Sequence, residues 1–216
     1  MGIPVEIEFA VDLKKTKDIL PTFYLLQVRP LSHNEEEISI DPKYLTKEKS
    51  FLYSTESLGN GTISTISDII FLDPAKFDKT RTMEMKNEIK EMNEKLRKQN
   101  RNYILIGPGR WGSRDRFLGI PVNWGEINRA GVIIETGLAN FDIEPSQGSH
   151  FFHNLVALNI GYLNIPYHHK GESFINWDFL QTMEIKEKRE FFTHVVEDNP
   201  FTILMDGKNG KAVILR

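Results

Sequence analysis

The sequence predicts an α/β or α+β fold with a mixed sheet and flanking helices. Residues 61–72 are rich in β-branched side chains, which favour strands. Residues 80–100 carry one narrow apolar stripe at helical spacing, formed by Met85, Ile89, Met92 and Leu96. Residues 102–106 and 131–136 are short apolar runs of strand length. This order of strand, helix, strand, loop and strand is typical of a mixed or parallel sheet.

The remaining elements follow from the same patterns. A strand is predicted at 50–55, a helix at 146–160, a strand that runs into a short helix at 174–180, and a charged turn at 184–190. The chain closes with predicted strands at 191–196, 201–205 and 212–215. Asp206-Gly207-Lys208-Asn209-Gly210 joins the last two as a hairpin turn. We expect these closing strands to form an antiparallel part of the sheet.

Composition excludes several classes of function. The 216 residues include no cysteine, which rules out disulfides, thiolate catalysis and zinc sites built on cysteine. A formal net charge of −3 argues against a dedicated nucleic-acid binder and against broad attraction to anionic membranes. No apolar run approaches the roughly 20 residues of a membrane helix, and the first residues lack the pattern of a signal peptide. We therefore expect a cytoplasmic protein.

Two segments near the start alternate polar and apolar residues, as half-buried strands do. In residues 5–10 this places Glu6 and Glu8 on one face, and in residues 23–31 it places Gln27 and Arg29 on one face. The alternation predicts the opposite face for Tyr24, Leu26 and Val28. If the strands pair, their carboxylate and amide oxygens suit Mg²⁺, and the guanidinium suits a phosphate. The alternative is a surface hairpin with a weak cross-strand Glu–Arg pair.

Both segments resemble a known nucleotide-binding hairpin. Glu-Ile-Glu-Phe-Ala and Tyr-Leu-Leu-Gln-Val-Arg-Pro-Leu are similar to the last hairpin of the ATP-grasp domain in the phosphoenolpyruvate synthase and pyruvate phosphate dikinase family. The resemblance implies that Glu8 binds the metal and that Gln27 serves the metal and the phosphates. It implies that Arg29 is catalytic and reaches the terminal phosphates of ATP. Glu6 stands where the family often has Asp, which makes it a further metal ligand; residues 12–22 form a longer connection than usual.

The resemblance covers about the first thirty residues and implies a division of the chain. Residues 1–31 would be the terminal hairpin of an incomplete ATP-grasp domain, 32–49 a linker, and 50–216 a C-terminal α/β domain of unknown role. The chain would be a fragment of a longer phosphotransferase, inactive alone. Its partners would be Mg²⁺, ATP, a small phosphoryl acceptor and upstream domains of the same polypeptide.

A second stretch with ligand-binding character follows the strand at 102–106. Residues 107–116 read Gly-Pro-Gly-Arg-Trp-Gly-Ser-Arg-Asp-Arg, so that glycines, a serine and arginines share one short loop. A loop at the carboxyl end of a strand is a common ligand site in α/β sheets, and Arg110 and Arg114 are candidate phosphate or carboxylate ligands. The alternative is a structural turn in which Trp111 fills the core and the arginines pair with Asp115, Glu126 or Glu135.

His150 and His153 fall on one side of the helix predicted at 146–160. They could share a metal, or His150 could carry a phosphoryl group, but solvated or hydrogen-bonded helix histidines are the ordinary alternative. Three functions therefore stand open. The chain is an enzyme fragment that holds Mg–ATP, an anion-sensing or domain-docking regulatory module, or a structural domain that supports a nucleotide-binding domain.

Overall fold

The computed structural model describes residues 5–14, 20–30, 38–142, 144–146, 155, 158–168 and 173–216. The chain divides into two compact units, Met1–Glu35 and Glu36–Arg216. The first unit contains an antiparallel pair of strands, β1 (Val5–Asp12) and β2 (Thr22–Pro30). The two segments with alternating sequence are therefore paired.

The second unit contains most of the regular structure. Its strands in chain order are β3 (Ser50–Ser54), β4 (Glu56–Leu58), β5 (Gly61–Ile63), β6 (Asp68–Leu72), β7 (Tyr103–Pro108), β8 (Arg110–Trp111), β9 (Gly119–Ile120), β10 (Ala130–Thr136), β11 (Gly161–Ile165), β12 (Phe174–Ile175), β13 (Glu184–Lys188), β14 (Phe192–Val196), β15 (Ile203–Asp206) and β16 (Lys211–Leu215). Its described helices are α1 (Thr82–Lys98) and α2 (Trp177–Thr182), with short 3₁₀ turns at Pro42–Tyr44, Pro74–Lys76 and Trp124–Glu126.

These strands form two main sheets. The larger has the order β13-β14-β6-β7-β10-β11-β4, with β6, β7, β10 and β11 parallel and the outer strands antiparallel. The smaller is fully antiparallel, in the order β12-β3-β16-β15-β5. The predicted α/β fold with a mixed sheet is confirmed.

The larger sheet is the middle of three layers. Its central strands are apolar on both faces because both are covered, as is typical of parallel strands. Within β6, Ile70 and Leu72 belong to a core cluster that includes the stripe of α1, whereas Ile69 and Phe71 belong to a second cluster with the smaller sheet. We call these the helix-side core and the sheet-side core. Residues at the carboxyl ends of the parallel strands therefore lie at one edge of the larger sheet, between the helix-side core and the sheet-side core.

The predicted apolar stripe of α1 is confirmed. Met85, Ile89, Met92 and Leu96 are all buried against the larger sheet. Helix α1 ends at Lys98, and its last turn carries Lys95, Arg97 and Lys98, whose positive charges suit the negative end of the helix dipole.

The structure corrects four expectations. The predicted strand 61–72 is two strands in different sheets, because the chain crosses between layers at residues 64–67. The predicted charged turn at 184–190 is instead the edge strand β13, whose charged side chains are mostly exposed, a common protection of sheet edges. The closing strands divide, with β14 in the larger sheet and β15 and β16 in the smaller. Strands β4 and β11 were not predicted.

Candidate functional site

The register of the first unit brings the predicted hairpin residues into opposition. Glu8 lies directly opposite Gln27, and the backbone of Glu6 lies opposite that of Arg29. Directly opposed residues of an antiparallel pair point to the same face, with Cβ atoms roughly 5 Å apart. Glu8 and Gln27 therefore share one face.

An irregularity next to this pair changes the expected faces. After the pair of Glu8 and Gln27 the register passes directly to Phe9 and Leu25, so β2 has one additional residue, Leu26. Tyr24 consequently pairs with Ala10, two residues beyond Glu8 on β1. The prediction that Tyr24 faces away from Gln27 is wrong, because a bulge shifts the alternation by one residue.

The donor set of the hairpin fits a magnesium ion that is completed by other ligands. The carboxylate of Glu8 and the amide oxygen of Gln27 are hard oxygen donors, and Mg²⁺ is usually held by one or two carboxylates together with water and phosphate oxygens. Among the described residues no group of three or more His, Cys, Asp or Glu side chains could hold a metal ion. The hairpin is also exposed on both faces, with Phe9 53% and Tyr24 51% accessible.

The Gly-Arg loop, residues 107–116, is held by the side chain of Glu135. Glu135 is the penultimate residue of β10, opposite Gly107 of β7, and is buried. Its Oε1 accepts the Trp111 backbone N–H at 2.9 Å, and its Oε2 accepts the Ser146 backbone N–H at 3.0 Å and the Tyr162 hydroxyl at 2.6 Å. The Ser146 hydroxyl also bonds to Oε1. One carboxylate thus ties the loop to two other segments at the carboxyl edge of the sheet.

Burial raises the pKa of Glu135, although the hydrogen bonds from Ser146, Tyr162 and Trp111 act in the opposite direction. Burial also raises the pKa of Tyr162, and the nearby charge of Glu135 adds to that shift. Tyr162 therefore remains a neutral donor to the carboxyl group.

The alternative of a structural turn holds for one residue of the Gly-Arg loop, Trp111. Trp111 is 1% exposed and belongs to the helix-side core. The alternative pairings of the arginines are wrong. Glu135 binds backbone N–H groups instead, and Glu126 lies 3.3 Å from Lys86 Nζ, because helix α1 presents its lysines to that residue.

The two candidate arginines of the loop do not share one environment. Arg110 donates from Nε to the Glu144 carbonyl at 2.7 Å, and its side chain is 30% exposed. Arg114 is exposed and makes no ion pair with the described residues. The structure therefore fixes one guanidinium and leaves the other in solvent.

The histidine hypothesis cannot be placed, because His150 and His153 and most of the helix predicted at 146–160 lie outside the described residues.

A cavity that the sequence patterns did not reveal lies at the carboxyl ends of the parallel strands. Its volume is about 970 Å³, and its lining includes residues at or shortly after the ends of β6, β10 and β11, among them Pro74, Thr136 and Pro166. Such an edge is the usual ligand position in α/β sheets. Sequence reasoning missed it because β11 was not predicted and the aromatic lining comes from distant segments.

Comparisons of the chain with protein-family models, with curated proteins and with solved structures each find no match. None of the helices within the described residues is long and apolar enough to cross a membrane.

Proposed function

We propose that this chain is part of an ATP-dependent phosphotransferase of the phosphoenolpyruvate synthase and pyruvate phosphate dikinase type, working in the cytoplasm. The observation that carries the proposal is the register of the hairpin, in which Glu8 opposes Gln27 and Glu6 opposes Arg29. This register supports the assignment because one face then offers the Glu8 carboxylate and the Gln27 amide together, and the backbones of Glu6 and Arg29 form the next opposed pair.

The roles of these residues follow from phosphoryl transfer chemistry. The protein's main tasks in that reaction are to position the nucleotide and to neutralise charge as the phosphoryl group moves. Glu8 and Gln27, with Glu6, would hold Mg²⁺, which supplies charge neutralisation at the phosphate oxygens when bound. Arg29 would orient the terminal phosphates through its planar guanidinium. The partners would be the nucleotide, a small phosphoryl acceptor and further domains that complete the cleft.

The test uses Mn²⁺ as a paramagnetic substitute for Mg²⁺. In amide NMR spectra of the 216-residue chain, Mn–ATP is expected to broaden signals of residues 5–9 and 26–30 selectively, and Glu8→Gln is expected to remove that broadening. Glu184→Gln is the matched control, since Glu184 is exposed on β13 in the other unit. Broadening that is absent from the hairpin, or unchanged in Glu8→Gln, overturns the proposal.

A second measurement addresses the reaction itself. In a polypeptide that supplies the remainder of a nucleotide-binding domain, Glu8→Gln and Arg29→Ala are each expected to abolish ATP consumption. Arg97→Ala is the control, because Arg97 is an exposed residue paired with Glu94 on α1. Full activity in both hairpin variants would leave only a regulatory or structural role.

A further inference from the structure

The cavity at the carboxyl edge has the size of a small-molecule site. Its volume of about 970 Å³ is at the upper end of the range for ligand pockets, roughly 300–1,000 Å³. It lies in the second unit and involves no residue of the hairpin. It is therefore independent of the proposed nucleotide site.

Thr136 at the end of β10 has a polar atom without a partner among the described residues. The residue lines the cavity and is 4% exposed, and its Oγ1 has no hydrogen-bond partner among the described residues. A buried hydroxyl without a partner is unfavourable, so native proteins seldom leave one. Rotation about Cα–Cβ moves a threonine hydroxyl between staggered positions, so a polar ligand atom in the cavity is a partner that the hydroxyl can reach by such a rotation.

The walls of the cavity are aromatic. Phe77 and Phe141 line one part with their ring centroids 4.6 Å apart, and Trp177, Phe174 and Tyr167 line another. Trp177 is fixed against Phe71 of the sheet-side core at 6.2 Å between centroids. An aromatic lining favours a flat apolar ligand, since aromatic side chains make favourable contacts with the ring of such a ligand.

Lys79 places a positive charge at the cavity. Asp78 also lines it, but its Oδ1 is occupied by the backbone N–H of Thr80 at 2.8 Å and the hydroxyl of Thr80 at 2.7 Å. Lys79 is exposed and forms no ion pair with the described residues. The cavity therefore offers a ligand an ammonium group that is not held in an ion pair by the described residues, beside the carboxylate of Asp78.

We propose that this cavity binds a small planar aromatic acid. The ring lies between the aromatic walls, the acid group meets Lys79, and a polar ring atom bonds to the hydroxyl of Thr136. This inference goes beyond the proposed function and does not rest on it.

Indole-3-carboxylate is the probe, and calorimetric titration of the full chain is the measurement. We expect saturable binding at one site per chain, weakened roughly threefold by Lys79→Gln, which removes an exposed charge pair. Thr136→Val, which keeps the shape and removes the hydroxyl, is expected to weaken binding about fivefold. Lys98→Gln on α1 is the matched control and should leave the affinity unchanged.

Neutral indole provides the second arm. The natural chain should bind indole more weakly than it binds indole-3-carboxylate. The Lys79→Gln variant should bind the two compounds equally well. Thermal unfolding of Thr136→Val should show no loss of stability, because the hydroxyl it removes has no partner in the part of the chain that the structure describes. The proposal is overturned if millimolar indole-3-carboxylate gives no saturable signal, or if Thr136→Val and Lys79→Gln bind it as well as the natural chain does.

Discussion

The hydroxyl of Tyr162 on β11 donates a hydrogen bond of 2.6 Å to Oε2 of Glu135 on the neighbouring strand β10. The same carboxyl group accepts backbone N–H groups of Trp111 and Ser146. A single buried acid therefore links two parallel strands to the Gly-Arg loop. Removal of such an acid leaves several buried donors without acceptors, which is more costly than the loss of one exposed bond.

Glu135→Gln is expected to lower the free energy of unfolding by about 2–4 kcal/mol. The amide retains one acceptor oxygen, but its NH₂ group faces one of the two backbone N–H donors, which are bound to different carboxylate oxygens. Urea denaturation measures the difference. Tyr162→Phe, which removes only one donor, should cost about 1 kcal/mol; a larger loss in Tyr162→Phe than in Glu135→Gln would contradict this account.

The stability contributed by Glu135 should fall as the pH rises. Burial raises its pKa in the folded protein above its ordinary value of 4.5. The folded state therefore holds a proton that the unfolded state has released, in the window between 4.5 and the raised pKa. Stability is fully present below 4.5 and is lost as the pH rises through that window. Urea midpoints of the natural chain and Glu135→Gln should converge with rising pH, and a constant difference would refute this linkage.

Asp68→Asn is expected to destabilise the second unit by about 2 kcal/mol. The Asp68 side chain is 3% exposed, accepts from Arg101 Nε at 2.9 Å and lies 2.7 Å from His194 Nε2. It therefore joins β6 to β14 and to the segment before β7. Urea denaturation should show a loss of unfolding free energy far larger than that of Glu94→Gln. The Glu94→Gln change removes an exposed ion pair worth about 0.5 kcal/mol or less. Equal shifts would mean that burial adds nothing at Asp68.

Gly109→Ala is expected to cost about 1–3 kcal/mol. Gly109 has φ of +68°, and an added Cβ would lie 2.7 Å from the Leu118 carbonyl oxygen and against the ring of Phe141. Gly125→Ala is the matched control, because a Cβ there meets nothing within 4 Å. Thermal unfolding of the two variants gives the comparison, and equal melting temperatures would show that the loop conformation adapts to the methyl group.

The two arginines of the Gly-Arg loop should respond differently if the loop binds phosphate. Arg114→Ala is expected to weaken inorganic phosphate binding about threefold, since its guanidinium is exposed. Arg110→Ala removes the bond to the Glu144 carbonyl and should loosen the loop more than it changes the charge offered to an anion. Titration with phosphate at low salt measures both variants. Unchanged affinity in both would end the ligand hypothesis for this loop.

Local sequence patterns predicted those elements whose secondary structure depends on residues close together in the chain. The stripe of α1, the parallel strands β7 and β10, and the paired hairpin strands all follow from apolar spacing. The same rules failed at β13, because a charged edge strand and a charged turn have similar composition. They also failed at Tyr24, because a bulge depends on the pairing of two strands and not on the alternation within one.

The sequence by itself determined the α/β class, the absence of cysteine chemistry, the amphipathic helix and the polar–apolar alternation of the two hairpin segments. Only the tertiary structure decided that Glu135 serves the backbone of the Gly-Arg loop, and that Thr136 lies in a cavity with Phe77 and Trp177. The physical reason is the distance along the chain over which each effect acts. Propensity and periodicity act over a few residues, whereas burial and hydrogen bonding of a side chain depend on segments that meet only when the layers pack.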